Sequence, residues 1–200
     1  MALAQFVPRK GFKMRIIAGR DKGRRLKSLD RRDVRPTSDR TKEAIFNILG
    51  PIVSGTRFLD LYSGFGGIGI EALSRGAEEV ICVEKDRRNL KVIEENLSMV
   101  GYEDRSRVVG SDVLKALGRI SPDFDIIFMD PPYGQEDLYL ETLKGILDYK
   151  LLHPTGILVV EYDSKKEPPL VEGYELIKKK KYGKSGVLLM RYNRKGLEEK

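Results

Sequence analysis

The segment Asp60-Leu61-Tyr62-Ser63-Gly64-Phe65-Gly66-Gly67-Ile68-Gly69 decides the fold. An apolar run of strand length, Phe58 to Leu61, enters it, and a helix-like run, Ile68 to Ser74, leaves it. The glycines therefore sit in a turn between a strand and a helix. Gly64, Gly66 and Gly69 satisfy the spacing G-x-G-x-x-G, and Glu84 follows Gly64 by 20 residues, at the end of the next apolar run. Glycine lets the chain turn sharply and lets a ligand approach the backbone without a Cβ in the way. An acid at the tip of a second strand can accept hydrogen bonds from both hydroxyls of a ribose. The segment is thus expected to cradle an adenosine-type cofactor.

Outward from this turn, strand-length runs alternate with helix-length segments. Val80 to Val83 precedes Arg87 to Val100, Val108-Val109 precedes Val113 to Leu117, and Ile126 to Met129 precedes Leu138 to Leu147, before Ile157 to Val160. Such alternation builds βαβ units and a parallel sheet covered on both faces. After Tyr162 the helices stop. Tyr174 to Ile177 and Val187 to Arg191 are separated by a Lys-rich turn with Gly183 and Gly186, which predicts a terminal antiparallel hairpin. The expected fold is α/β, a doubly wound and mostly parallel seven-stranded sheet ending in that hairpin.

Upstream, Met14 to Ala18, then Gly19 and Gly23, then Leu26 predict a small β-hairpin with an Arg/Lys face, an appendage outside the core. Arg35-Pro36-Thr37-Ser38-Asp39 opens a helix whose apolar stripe is Ala44, Ile45, Ile48 and Leu49, stopped at Gly50-Pro51. The expected organisation is a flexible extension over 1–13, a basic hairpin and helix over 14–50, and the main domain over 51–200.

Two hundred residues, 40% hydrophobic and 34% charged, suit one globular domain. No apolar run is long enough to span a membrane, and Met1 to Lys13 lacks a signal-peptide core, so the expected compartment is the cytoplasm. One cysteine, Cys82, and one histidine, His153, make neither a disulfide nor a Cys/His metal site; no metal is expected. Cys82 lies mid-strand and reads as packing, His153 reads as a structural loop residue, and Asp86 reads as a helix N-cap. Asn47 fits either a solvated face or the cofactor or base pocket.

The net charge of +7 is unevenly spread. Residues 9–40 hold 13 Lys/Arg against 4 Asp/Glu, and residues 178–195 hold 8 Lys/Arg and no acid, so the remaining chain carries −10. Basic ends on an acidic body point to a polyanion partner, nucleic acid above all, with Arg20, Lys22, Arg24 and Arg25 on the hairpin and Lys178, Lys179, Lys180 and Lys181 near the other end as the candidate contacts.

The glycine spacing alone is shared with NAD-binding loops. Three acids at consecutive strand ends, Asp60, Glu84 and Asp112, favour S-adenosylmethionine instead, since it carries a sulfonium and an ammonium where NAD carries a pyrophosphate. Asp60 faces the ammonium and Asp112 the adenine amine in this reading.

The fourth parallel strand, Phe124 to Met129, ends in Asp130-Pro131-Pro132-Tyr133. Two prolines fix an extended backbone, which aims the Asp130 carboxylate and the Pro131 carbonyl outward beside the glycine loop. In this context the tetrapeptide resembles the (Asp/Asn)-Pro-Pro-(Tyr/Phe) signature of amino-methyltransferases. That likeness implies two acceptors for the N–H groups of an exocyclic base amine, with Tyr133 stacking on the extruded base.

Longer matches narrow the resemblance: Met14-Arg15-Ile16-Ile17-Ala18-Gly19, Gly23-Arg24-Arg25-Leu26, Arg35 to Arg40 with Lys42 to Asn47, and Leu59 to Gly64 through Glu71 to Ala77. Over Met14 to about Tyr192 the chain is similar to the bacterial small-subunit ribosomal RNA guanine-N2 methyltransferases of the RsmD type. The resemblance implies a class I, Rossmann-like methyltransferase fold and methylation of N2 of one guanine in 16S rRNA, on an assembled or nearly assembled subunit. It implies that Arg35 to Arg40 closes over the methionine end of S-adenosylmethionine, with Thr37 and Arg40 in contact. Tyr62, Ser63, Gly64, Gly66, Lys85 and Val113 join Asp60, Glu84 and Asp112 as cofactor-binding candidates. Phe65 departs from the small residue common at its position, and residues 1–13 precede the family's usual start. The alternatives are a DNA adenine-N6 methyltransferase and a non-catalytic nucleic-acid-binding protein of the same fold. The short chain shows no inserted duplex-reading domain, and the intact Asp130 to Tyr133 tetrapeptide disfavours the second.

Overall fold

The computed structural model describes residues 14–29, 37–132 and 134–193. Seven strands form one sheet: β1 (Arg57–Leu61), β2 (Glu79–Glu84), β3 (Ser106–Gly110), β4 (Phe124–Met129), β5 (Leu152–Asp163), β6 (Tyr174–Tyr182) and β7 (Ser185–Tyr192). Their order is β3-β2-β1-β4-β5-β7-β6, with the first five parallel and β7 antiparallel to both neighbours. The expected doubly wound sheet with its terminal hairpin is what forms.

Alternate residues of the central strands enter two separate cores. Phe58, Cys82, Phe128 and Val159 face α2 (Gly67–Ser74) and α3 (Arg87–Val100), together with α1 (Asp39–Leu49). Leu59, Val83, Met129 and Val160 face α4 (Val113–Leu117) and α5 (Glu136–Asp148). Helix α3 starts where Asp86 caps it, the Asp86 carboxylate accepting from Arg88 N–H at 2.8 Å, and ends at Gly101 in the left-handed region. Among the described residues, no helix is long and apolar enough to cross a membrane.

The N-terminal hairpin, closed by the Arg15 and Arg25 bridge, is not an appendage outside the core. Met14, Ile16 and Leu26 are buried in the same core as α2 and α3. The reason lies in a buried ion cluster. Glu71 of α2, 0% exposed, accepts from Ile17 N–H at 2.7 Å and Ala18 N–H at 3.0 Å, and pairs with Arg75 at 2.8 Å and Lys42 of α1 at 3.4 Å. Lys42 also donates to the Arg15 carbonyl. Burial pushes the Lys42 ammonium down in pKa, and the Glu71 carboxylate opposes that shift. Lys42 and Phe46 consequently replace Ala44 and Ile48 on the buried stripe of α1, whose N-cap is Ser38.

Two further expectations change. Lys178 to Lys181 lie on β6, an edge strand, rather than in a turn, and their exposed charges disfavour pairing of that edge with another chain. His153 lies at the start of β5, its Nδ1 bonded to the hydroxyl (2.9 Å) and N–H (3.2 Å) of Thr155. Cys82 is fully buried, as read, and burial raises its thiol pKa.

Glu71→Gln removes the one carboxylate that pairs with both Lys42 and Arg75 in a buried site. Urea denaturation should show a loss of about 3 to 5 kcal/mol, the range for breaking a buried ion pair. A loss below about 1 kcal/mol would mean that the cluster does not hold the hairpin.

Candidate active site

The C-terminal edge of the parallel strands opens into a cavity of about 580 Å³, the size of a cofactor pocket. The glycine turn forms one wall. Gly64 and Gly66 adopt φ of 56° and 78°. Tyr62 is left-handed as well, at 61°, which is uncommon for a side chain of its bulk. Its hydroxyl is held by Thr142 of α5 at 2.6 Å, and burial pushes its pKa up to about 12. Gly69 has no room for a side chain: an added Cβ would lie 2.9 Å from both Cys82 and Val80. That closeness seats α2 on the sheet and brings Gly69 N–H within 3.0 Å of Asp60 Oδ2.

Asp60 is 1% exposed, and among the described residues its Oδ1 has no hydrogen-bond partner. Desolvation raises its pKa to about 7, against the Gly69 hydrogen bond, which lowers it. Glu84 is also buried, but three backbone donors hold it: Gly64 N–H at 2.9 Å on Oε2, and Lys85 and Asp86 N–H at 2.9 and 2.8 Å on Oε1. Asp112 caps α4 through Leu114 N–H at 3.1 Å. All three carboxylates line the cavity, as do Asp130, Pro131 and Pro132 at the end of β4.

Of the other cofactor candidates, Thr37, Tyr62, Ser63, Gly64, Lys85 and Val113 line the cavity. Gly66 does not; it sits behind the wall, where a Cβ would press on Ile93. Arg40 is exposed on α1 and does not line the cavity, because the buried face of the helix is taken by Thr41 and Lys42. Asn47 is exposed on the same helix. Tyr133, Arg35 and Pro36 lie outside the described residues. Phe65 lines the cavity with a side chain buried in the core, which accounts for its bulk at that position.

Of the basic hairpin residues, Arg20, Lys22 and Arg24 lie away from the cavity. Arg20 N–H bonds the Ser74 carbonyl and Arg24 donates to the Met99 carbonyl, at the C-terminal ends of α2 and α3. Those helices begin at the cavity and run about 12 and 20 Å from it at 1.5 Å per residue. Arg25, exposed, bridges to Arg15 nearer the cavity end. Lys178 to Lys181 rise along β6 toward the cavity edge, where Ser185 of β7 is a lining residue; Lys179 pairs with Glu167.

Sequence reading missed Glu161, Asn89, Gln135 and Ser185, all of which line the cavity. Glu161 is 2% exposed and accepts from the Thr37 hydroxyl at 3.2 Å. An acid directly after the apolar run of β5 repeats the position of Asp130 after β4, and that offset was the available signal.

Residues 14–191 match the model of the family described as Conserved hypothetical protein 95. The chain belongs to that family. It is 34% identical over 175 residues to Ribosomal RNA small subunit methyltransferase D of Haemophilus influenzae, covering 85% of this chain and 89% of that one. The YlbH protein of Bacillus subtilis is 38% identical over 188 residues, with 92% and 100% covered. The solved structure of yhhF from Escherichia coli superposes with a TM-score of 0.81 at 30% identity, covering 90% of this chain and 98% of that one. These likenesses agree with the RsmD-type resemblance and with the methyltransferase fold.

The folded chain holds the Asp60 proton more tightly than the unfolded chain does. The contribution of Asp60 to stability therefore falls as pH rises from about 4 to about 7, the interval between the two pKa values. Asp60→Asn removes this dependence and keeps an acceptor for Gly69. Melting temperatures should show the variant gaining several degrees on the wild type between pH 5 and pH 8. A difference that stays constant with pH would show that Asp60 titrates normally.

Proposed function

We propose that this protein transfers a methyl group from S-adenosylmethionine to the exocyclic N2 amine of a guanine in small-subunit ribosomal RNA. One observation carries the reading: the rigid Asp130-Pro131-Pro132 turn opens into the same cavity as an acidic glycine loop. The relatives named as ribosomal RNA small subunit methyltransferases support the RNA as substrate.

The residues present fit the cofactor. Asp60 Oδ1, without a hydrogen-bond partner among the described residues, offers a buried carboxylate oxygen to an ammonium group, whose charge favours the ionised form, whereas a pyrophosphate would be repelled there. Glu84 has spent three of about four acceptor sites on backbone donors, so it would take one ribose hydroxyl rather than both. Asp112 and Val113 would hold the adenine, and Thr37 the methionine end. Bound S-adenosylmethionine supplies a methyl carbon activated by the adjacent sulfonium.

The protein's own task is to make a poor nucleophile competent. The lone pair of a base amine is delocalised into the ring, and two acceptors on its two N–H groups favour a pyramidal nitrogen. The Asp130 carboxylate takes one N–H, the Pro131 carbonyl takes the other, and the departing amine proton leaves toward Asp130. Because consecutive prolines fix the turn, neither acceptor has to be ordered during the reaction. The RNA is read within an assembled or nearly assembled subunit, docked on the cationic edge toward which β6 rises.

Single-turnover reactions with small subunits from a strain lacking the gene should yield N2-methylguanosine after nucleoside digestion. Asp130→Ala should slow transfer at least about a hundredfold, the cost of losing a well-placed polar contact in the transition state, with cofactor affinity little changed. N6-methyladenosine as the product, or a near-normal rate for a folded Asp130→Ala, would overturn the reading.

A further inference from the structure

Glu161 is a buried carboxylate in the wall of the cavity, and its position is set by the sheet. In the β4 and β5 pairing Phe128 lies beside Val159 and Met129 beside Val160, so the next residues on the two strands are Asp130 and Glu161. In-register residues of a parallel pair project to the same face, and neighbouring strands lie about 4.8 Å apart. Continued by one residue beyond the last pair, that register sets Asp130 beside Glu161 on the face that also carries Asp60 and Glu84. Both line the cavity. Glu84 and Asp60, on β2 and β1, are the pair suited to the cofactor, which leaves Asp130 and Glu161 on the substrate side.

We propose that Glu161 is the specificity-determining residue for the target base, accepting the ring N1–H of guanine while Asp130 accepts an N–H of the adjacent N2 amine. The proposal rests on the guanine-N2 reading above. Three of the common bases carry an exocyclic amine, and two acceptors for an amine do not distinguish them. The ring nitrogen beside the amine does. In guanine it is a donor, N1–H. In adenine N1 and in cytosine N3 it is an acceptor, whose lone pair a carboxylate repels. A carboxylate next to the amine-binding acceptor therefore selects guanine with one interaction that attracts it and repels the other two. Thr37 fixes the group by donating its hydroxyl to Oε2 at 3.2 Å. Holding that oxygen ties base recognition to the segment preceding α1.

The test uses 2-aminopurine, which keeps the 2-amine but carries an acceptor at N1. Small subunits are reconstituted with RNA bearing guanine or 2-aminopurine at the position methylated by the wild type, and kcat/KM is measured for each. Wild type should prefer guanine by at least about a hundredfold, because a site built to bond a donor rejects the analogue lacking it. In Glu161→Gln, rotation of the amide presents an N–H to the analogue, and the preference should fall at least about tenfold, with affinity for S-adenosylhomocysteine kept within about threefold of wild type. A wild-type ratio near one overturns the proposal whatever the variant does. So does an undiminished preference in a variant that still binds S-adenosylhomocysteine. Failure of the wild type to methylate guanine in any subunit overturns the guanine-N2 reading and this proposal with it; transfer to guanine with a wild-type ratio near one overturns this proposal alone.

Discussion

Parallel pairing brings β2, β1, β4 and β5 into one register, and residues side by side in parallel strands point to the same face. Asp60 pairs with Cys82 and Phe128, so it lies one residue pair deeper than Glu84 and Asp130, and its near-complete burial follows from that depth. Glu161 follows Val160 as Asp130 follows Met129, the last pair of β4 and β5. Four acids from four consecutive strands then face one cavity. Asp60 bears the largest cost of that placement: desolvation raises its pKa, and the neighbouring Glu84 carboxylate adds to the shift.

The same face has to be roofed, and the roof is built by charge. Glu71 gathers two backbone N–H groups of the hairpin, a lysine from α1 and an arginine from its own helix. Each of these charges has a partner, and the Glu71 carboxylate opposes the desolvation of Lys42 without cancelling it. The hairpin strand that begins with Met14 at the cavity wall is thereby fixed against Gly67, where an added Cβ would meet the Met14 sulfur at 2.9 Å. Thr37 and Ser38 close the remaining side of the cavity just ahead of α1.

Hydrophobic periodicity and punctuation made much of this legible from the chain alone. Arg87 to Val100 begins as a helix where Asp86 says it should, and β4 stops at the two prolines. The cofactor loop was readable because backbone demands select glycine there. Glu161 was not, since its role depends on strand register and not on any local motif. Lys42 was not, because the acid that permits its burial is on another helix. Lys178 to Lys181 resembled a turn because lysine is a poor strand former; β6 forms there by pairing with the apolar β7 on its inner side.

The division of the four acids between cofactor and base can be measured by calorimetric titration of S-adenosylhomocysteine into Glu84→Gln, Asp60→Asn, Asp130→Asn and Glu161→Gln. The account predicts that the β2 and β1 variants lose at least about tenfold in affinity, the effect of about 1.4 kcal/mol. The β4 and β5 variants should stay within about threefold of wild type. Equal losses across all four, or losses confined to Asp130→Asn and Glu161→Gln, would contradict it.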